Sequence, residues 1–391
     1  MRLYLTALNP TDAVLEGFLP AAAALGLSVT VLTDRPDQWP AGVPVSGCAV
    51  RDPAAVLAAT AADRPAALFS NSDHLQEATA LAARKLGLPA KEPGAARRCK
   101  DKAAARQAIA AAGLDRVSAV VVDPDTTPAV PDEMFPAVVK PRDGVASEDV
   151  YLVTDHRELT ARIAEIRQRR PDVALMVEEY LAGELRTHET LGDATTLAVL
   201  GGWRTGLGPP PTFTEVSLDW SPAQERVSAQ VRAQLDALGV GFGACHTEYV
   251  VQDGRVRLIE VNYRLIGDRM DLILAELLGV PLFEHVIRLH LGEPLTALEL
   301  PAPAASNRYA RVEYVCADRP GRLVAAPDRL DAVHDGVHLA CRPLREIGRS
   351  ADRTGTNRDY LAVLHAIGPD ESSVRAALAA FRDDLRWTIA G

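Results

Sequence analysis

Glu248, Glu260, Asn262 and Arg264 are the residues whose types and spacing point most directly to chemistry. They lie in one stretch, residues 246–268, reading HTEYVVQDGRVRLIEVNYRLIGD. Two β-rich runs flank Asp253-Gly254, a strong hairpin signal. Glu260 and Asn262 are two apart on one strand, so their side chains share a face. Whether Glu248 joins them depends on the turn. A two-residue Asp253-Gly254 loop pairs Gln252 with Arg255 and turns Glu248 to the other face. A three-residue loop, Gln252-Asp253-Gly254, pairs Val251 with Arg255 and brings Glu248 beside Glu260. The second register is expected here, because it gathers two carboxylates and an amide oxygen. Hard oxygen ligands of this kind suit Mg²⁺. Arg264 has the same parity and could hold a transferring phosphoryl group.

Lysine is scarce: it occurs only at 85, 91, 100, 102 and 140. Lys102 opens the helical stretch KDKAAARQAIAAAGL, and Lys140 ends the apolar strand PAVVKP. An ammonium is a compact, mobile point charge suited to phosphate oxygens. Lys100 competes with Lys102 for that role.

Taken together, these motifs resemble the ATP-grasp superfamily. The wording HTE…IEVNYR resembles its carboxylate–amine ligase branch, which includes amino-acid ligases. The resemblance covers roughly residues 95–295. It implies an ATP-grasp fold with a Rossmann-like pre-ATP-grasp domain before it and an α+β cap after it. It implies ATP and Mg²⁺ as cofactors, with two ions expected and Mn²⁺ as a substitute. Glu248, Glu260 and Asn262 would then be metal ligands. Lys102 and Lys140 would hold phosphates, with Lys140 and Arg264 acting in catalysis. Gly144 and Ser147 match the loop whose backbone N–H groups cover the phosphates, and that loop is expected to be disordered in the empty protein. Ala146 and Asp149 stand where glycines are usual. The run Val177-Glu178-Glu179-Tyr180-Leu181 resembles the hinge strand that meets adenine. There Glu178, Glu179 and Leu181 would contact the base, with Glu184 or Glu189 on the ribose.

The rest of the chain must position these groups. It has 391 residues, 48% hydrophobic and 24% charged, enough for several domains with a sizeable core. Residues 1–98 alternate strand and helix signals, with strands near 3–8, 28–33 and 66–70 and helices over 12–25 and 74–86, so a parallel α/β layer is expected. The first turn reads TALNPTD rather than GxGxxG, so no dinucleotide fingerprint is present. Residues 99–185 read as a lid unit: a helix over 101–112, strands at 119–122, 137–140, 150–153 and 175–179, and a helix over 158–169. Residues 186–300 form the central metal and substrate unit, with helices over 222–237 and 269–279. The Gly/Pro-rich stretch 202–217 is neither helix nor clean strand, and such a loop often lines a substrate pocket. PAPAAS at 301–306 reads as a linker, and 301–391 as a C-terminal α+β unit closing on a helix over 372–385.

Net charge is −10 and aromatics are 5%, which argues against a phosphate-backbone binder and a base-stacking platform. The five cysteines form no CxxC pair, and the histidines, including His188, His246, His285 and His290, form no HExxH. No signal peptide or membrane-length apolar run is seen, so a cytoplasmic protein is expected, with no membrane partner and with homodimerisation open. The function expected is an ATP-dependent ligase joining a small carboxylate to an amine. A nucleotide sensor without ligase activity and an ATP-grasp kinase or carboxylase are the rivals.

Overall fold

The computed structural model describes residues 1–300 and 308–391. The proposed linker at 301–306 lies outside the described residues.

The apolar, β-branched runs near the start form a four-stranded parallel sheet. Its order is Val45–Gly47, Ser28–Thr33, Arg2–Thr6, Ala67–Ser70. Helices cover it, as buried parallel strands require. The helix expected over 12–25 is present, but its first six residues, Ala13–Phe18, wind as a π-helix before Leu19–Ala24 continues as α.

A second four-stranded sheet is antiparallel, in the order Ala119–Val122, Leu175–Glu179, Ala137–Pro141, Tyr151–Val153. Helix His156–Arg169 packs on it through Leu159, Ile163 and Ile166. The helix that carries Lys102 runs Lys102–Ala111. Its alanines favour helix, and Asp101 caps it by accepting from the N–H groups of Ala103 and Ala104 at 3.0 and 3.2 Å. A helix at Pro93–Lys100 precedes it, which the charged run there did not announce.

The largest sheet has nine strands and takes them from both sides of residues 301–307. It begins at the hairpin Arg255–Asn262 and Phe242–Gln252, followed by Leu185–Asp193, Leu197–Leu207 and Glu215–Ser221. It continues through Tyr309–Cys316, Tyr360–Gly368, Val337–Pro343 and Leu330–His334. A small three-stranded sheet, Ser350–Ala351, Gly321–Ala325 and Thr388–Ala390, completes the fold. Two helices, Met270–Leu278 and Leu282–His290, belong to one core that also holds Leu3, Phe18 and Phe69 from the parallel unit and Trp203 and Trp220 from the large sheet. Among the described residues no helix is long and apolar enough to cross a membrane.

The 202–217 stretch departs from its expected loop. Only residues 208–214 connect, and the rest is strand. Its glycines let backbones approach closely: a Cβ on Gly202 would sit 2.0 Å from the Thr187 carbonyl oxygen.

The hairpin also corrects an expectation. Its loop has two residues, with Asp253 at φ 50° and Gly254 at φ 73°, and Gln252 pairs with Arg255. This is the turn that was expected to separate the carboxylates. A β-bulge reverses that consequence. Tyr249 pairs with Leu258, but Glu248 pairs with Glu260, so Ile259 is the extra residue. Arg106 takes up the bulge, donating to the carbonyls of Leu258 and Ile259. Glu248 therefore stands directly opposite Glu260, and His246 opposite Asn262. Gly254→Val should cost about 1–2 kcal/mol, since a β-branched residue resists the left-handed region. The check is the denaturant midpoint. A midpoint equal to that of the unaltered protein would contradict the turn.

Candidate functional site

A cleft of about 750 Å³ lies between the parallel unit, the antiparallel sheet and the large sheet. Its walls include Lys102, Lys140, Gly144, Ser147, Glu178, Glu179, Leu181, Glu248, Glu260, Asn262 and Arg264. Eleven of the thirteen residues singled out from sequence thus meet in one place.

The two lysines reach it from different elements, and both are buried. Lys102 Nζ lies 3.2 Å from Glu260 Oε2 and donates to the Gly144 carbonyl at 3.0 Å. It therefore links the carboxylate hairpin to the loop after Lys140. Lys140 Nζ is ion-paired with Glu178. Arg106 holds the same carboxylate, with Nε 2.8 Å and Nη2 3.2 Å from its two oxygens. Burial pushes the Glu178 carboxyl up, but Lys140 and Arg106 outweigh it and hold it down at about 2. Burial pulls the Lys140 ammonium down, against the attraction of Glu178. Glu178 is thus an anchor for two cations. Its side chain is not free to meet a base, which leaves only its backbone for the contact expected of it.

Glu179 is similarly engaged. It accepts from the Ser118 N–H and from Arg257, both at 3.0 Å. Neither glutamate offered for ribose lines the cleft. Glu184 is exposed and paired with Arg186. Glu189 is buried, accepting from Thr187 Oγ1 at 2.7 Å and lying 2.8 Å from His246 Nδ1. The contact expected of one of them is therefore not offered by either side chain as it stands.

His246 continues the chain of contacts, with Nε2 3.3 Å from Glu248 Oε1. Burial alone would lower the imidazole, but Glu189 and Glu248 override it and raise it to about 10. His246 is thus a cation wedged between two carboxylates. Sequence spacing placed it on the face of Glu248, but did not show the partner on the neighbouring strand.

Glu215, at the end of the 208–214 connection, also lines the cleft. Burial pushes its carboxyl up from 4.5 to about 8, and the charge of Glu248 adds to the rise. Between those values the folded protein keeps a proton that the unfolded chain releases. Stability from this group is therefore present at low pH and is lost as pH rises through about 8. Glu215→Gln should gain on the parent protein in denaturant midpoint as pH rises through this window. A difference that does not vary with pH would contradict the assignment.

Arg264 is held from the parallel unit. Its Nε and Nη2 lie 2.8 and 2.7 Å from Asp73 Oδ2, and Nη1 donates to the Leu265 carbonyl at 2.7 Å. Asp73 follows the strand Ala67–Ser70, so the parallel sheet supplies this contact from the carboxyl end of a strand, where open α/β sheets bind ligands. Asn9 and Asp12, which follow the strand Arg2–Thr6, line the cleft by the same rule.

The loop after Lys140 is a formed turn here rather than a disordered segment. Ala146, Ser147 and Asp149 all have positive φ, at 57°, 54° and 58°. Asp149, standing where glycine is usual, is buried between Arg169 at 2.6 Å and Arg170 at 3.1 Å. Glu148 reaches Arg358 at 3.0 Å, tying the loop to the turn that precedes strand Tyr360–Gly368 of the large sheet. These ion pairs replace conformational freedom with anchorage.

No protein-family model matches the chain. An uncharacterized protein of Sinorhizobium fredii is 29% identical over 324 residues, covering 78% of this chain and 64% of its own. Carnosine synthase 1 of Gallus gallus is 27% identical over 271 residues, covering 61% of this chain and 29% of its own. The chain thus spans less than two thirds of the length of these curated relatives. Among solved structures, an L-amino acid ligase from Bacillus licheniformis superposes with a TM-score of 0.82 at 19% identity, over 100% of this chain and 99% of that one. That likeness is one of fold, and it runs through the parallel unit, the antiparallel sheet and the sheet bearing the carboxylate hairpin alike.

Proposed function

We propose that the protein is an ATP-dependent carboxylate–amine ligase that forms an amide through an acyl phosphate. The observation that carries this reading is the pairing of Glu248 with Glu260 and of His246 with Asn262 on one hairpin face, with Lys102 3.2 Å from Glu260. Two carboxylates and an amide oxygen converge beside a buried ammonium, as binding of a metal–polyphosphate requires.

The donor set fits Mg²⁺. It is all oxygen, and Glu215, raised first by its own burial and then by the charge of Glu248, lines the same cleft. Bound Mg²⁺ would neutralise phosphate charge. In this reading Glu248, Glu260 and Asn262 hold the ion, as one Mg²⁺ or two. Lys102 and Lys140 hold phosphate oxygens, and Gly144 and Ser147 cover them with backbone N–H groups. Adenine is met by the backbone at Glu179 and Leu181. Arg264 is aimed by Asp73 at the developing charge on the acyl group. The chain's work is positioning and charge stabilisation, with no side-chain nucleophile. The name of the structural neighbour, an L-amino acid ligase, supports an amino acid as one substrate.

The test is a phosphate-release screen of amino acids, citrate and polyamines with Mg-ATP. Release that needs both an acid and an amine supports the ligase. ATP binding with no release under any pair would favour a sensor, and ADP formed with the acid alone, with a stable phosphorylated product and no phosphate release, would favour a kinase.

A further inference from the structure

Away from the cleft, three metal-ligating side chains meet on the other part of the large sheet. His338 and His365 lie on neighbouring strands, where His338 pairs with Ile367 and Ala340 with His365. This register puts both imidazoles on one face in diagonal positions. Glu276, near the end of helix Met270–Leu278, meets them from above the sheet. Its Oε1 lies 2.6 Å from His338 Nδ1, and its Oε2 lies 3.5 Å from His365 Nε2. One ligand atom from each of the three residues falls within 4.8 Å of the others.

His365 is the second, independent observation. It is only 4% exposed, and neither ring nitrogen has a hydrogen-bond partner among the described residues. Burying an imidazole without partners is costly, so such a nitrogen calls for a ligand. The ring is aimed at Glu276 without reaching it at hydrogen-bond distance. Two more features suit a metal. Glu276 and His338 are only half-buried, which leaves an entry path. His338 Nε2 lies 3.4 Å from Asp331 Oδ1, the carboxylate–histidine arrangement that orients metal-bound imidazoles. The nearby Arg342 guanidinium is occupied by Asp331 and by the carbonyls of Leu330 and Cys341.

We propose that Glu276, His338 and His365 bind one zinc-class transition-metal ion, separate from the cleft. Two imidazoles and a carboxylate match the donors of zinc, with a fourth position open to water. The same helix begins at Met270 and Asp271, which line the cleft. An ion at Glu276 would therefore fasten the far end of a cleft-lining helix to the sheet.

The probe is Co²⁺ added to the chelator-treated full-length protein. About one equivalent is expected, with the visible absorption of a four-coordinate N/O site, displaced by Zn²⁺. His338→Ala, at the half-buried rim, should lose the band, and Asp331→Asn should weaken uptake about tenfold. Zn²⁺ should raise the melting temperature of the parent protein but not of His338→Ala, a readout that holds even where His365→Ala fails to fold. Glu260→Gln should keep the band. No Co²⁺ band, a band retained in His338→Ala, or a band lost in Glu260→Gln would each overturn the site.

Discussion

Glu260→Gln is expected to abolish ADP formation while leaving the protein folded. Glu260 faces Glu248 across the hairpin and lies 3.2 Å from Lys102 Nζ. The substitution keeps the shape of the side chain, so the bulge and the pairing have no reason to change. It removes one of the two charges that a divalent cation needs, and it also leaves Lys102 without its carboxylate. Catalysis that depends on holding a metal–phosphate in register loses orders of magnitude when a ligand charge is lost. The check is phosphate release at saturating Mg²⁺ together with circular dichroism. A folded variant that keeps most of its turnover would remove the metal role from Glu260.

Lys140→Ala is expected to weaken ATP binding by about 1–3 kcal/mol, the range for losing one charge-assisted hydrogen-bonding partner. The structure adds a second consequence. Lys140 and Arg106 share the buried Glu178, so removing the lysine leaves that carboxylate with one cation instead of two. Breaking a buried pair destabilises by about 3–5 kcal/mol when the charge left behind is uncompensated. Arg106 remains at 2.8 Å, so the loss in stability should fall below that range. Glu178→Gln separates the two effects. It should recover part of the stability lost in Lys140→Ala without recovering ATP affinity. Calorimetry showing the same ATP affinity for Lys140→Ala, Lys102→Ala and the parent protein would remove the lysines from the phosphate site.

The legible part of the site was the part written in residue types. Five lysines in a chain of 391 residues made Lys102 and Lys140 conspicuous, and both line the cleft. The spacing of Glu248, Glu260 and Asn262 marked a hairpin, and all three share one face. The register was reached by a different route from the one expected. The sequence signal Asp-Gly was for a two-residue loop, which is what forms, and the parity is restored at Ile259 instead. A bulge of this kind is not visible locally, because Arg106, some 150 positions away, holds its carbonyls. Arg106 itself had a signal, since it is one helical turn after Lys102 on the same helix face.

The least legible groups depend on pairing between distant strands. Glu189 was offered to ribose, as the alternative to Glu184, through the resemblance of the hinge strand, but its strand lies beside that of His246, and the imidazole takes the carboxylate. Glu215 gave no signal, because its importance comes from burial beside Glu248. The strand Leu197–Leu207 was obscured by glycines that usually break strands. Here they are needed for contact between backbones, as the close approach of Gly202 to Thr187 shows. Helix Leu282–His290, with seven of its nine residues buried, keeps only a narrow polar stripe at Glu284 and Arg288.

In the proposed reaction a carboxylate oxygen attacks the terminal phosphate of ATP and an amine then displaces the phosphate. Isotope transfer tests it most directly. A carboxylate substrate labelled with ¹⁸O should be incubated with Mg-ATP, the amine and the protein, and the products read by mass spectrometry. The expected result is an amide in equal amount to ADP, with one ¹⁸O atom carried into each inorganic phosphate. Unlabelled phosphate, or AMP and pyrophosphate in place of ADP and phosphate, would contradict the acyl-phosphate route and with it the ligase assignment of this cleft.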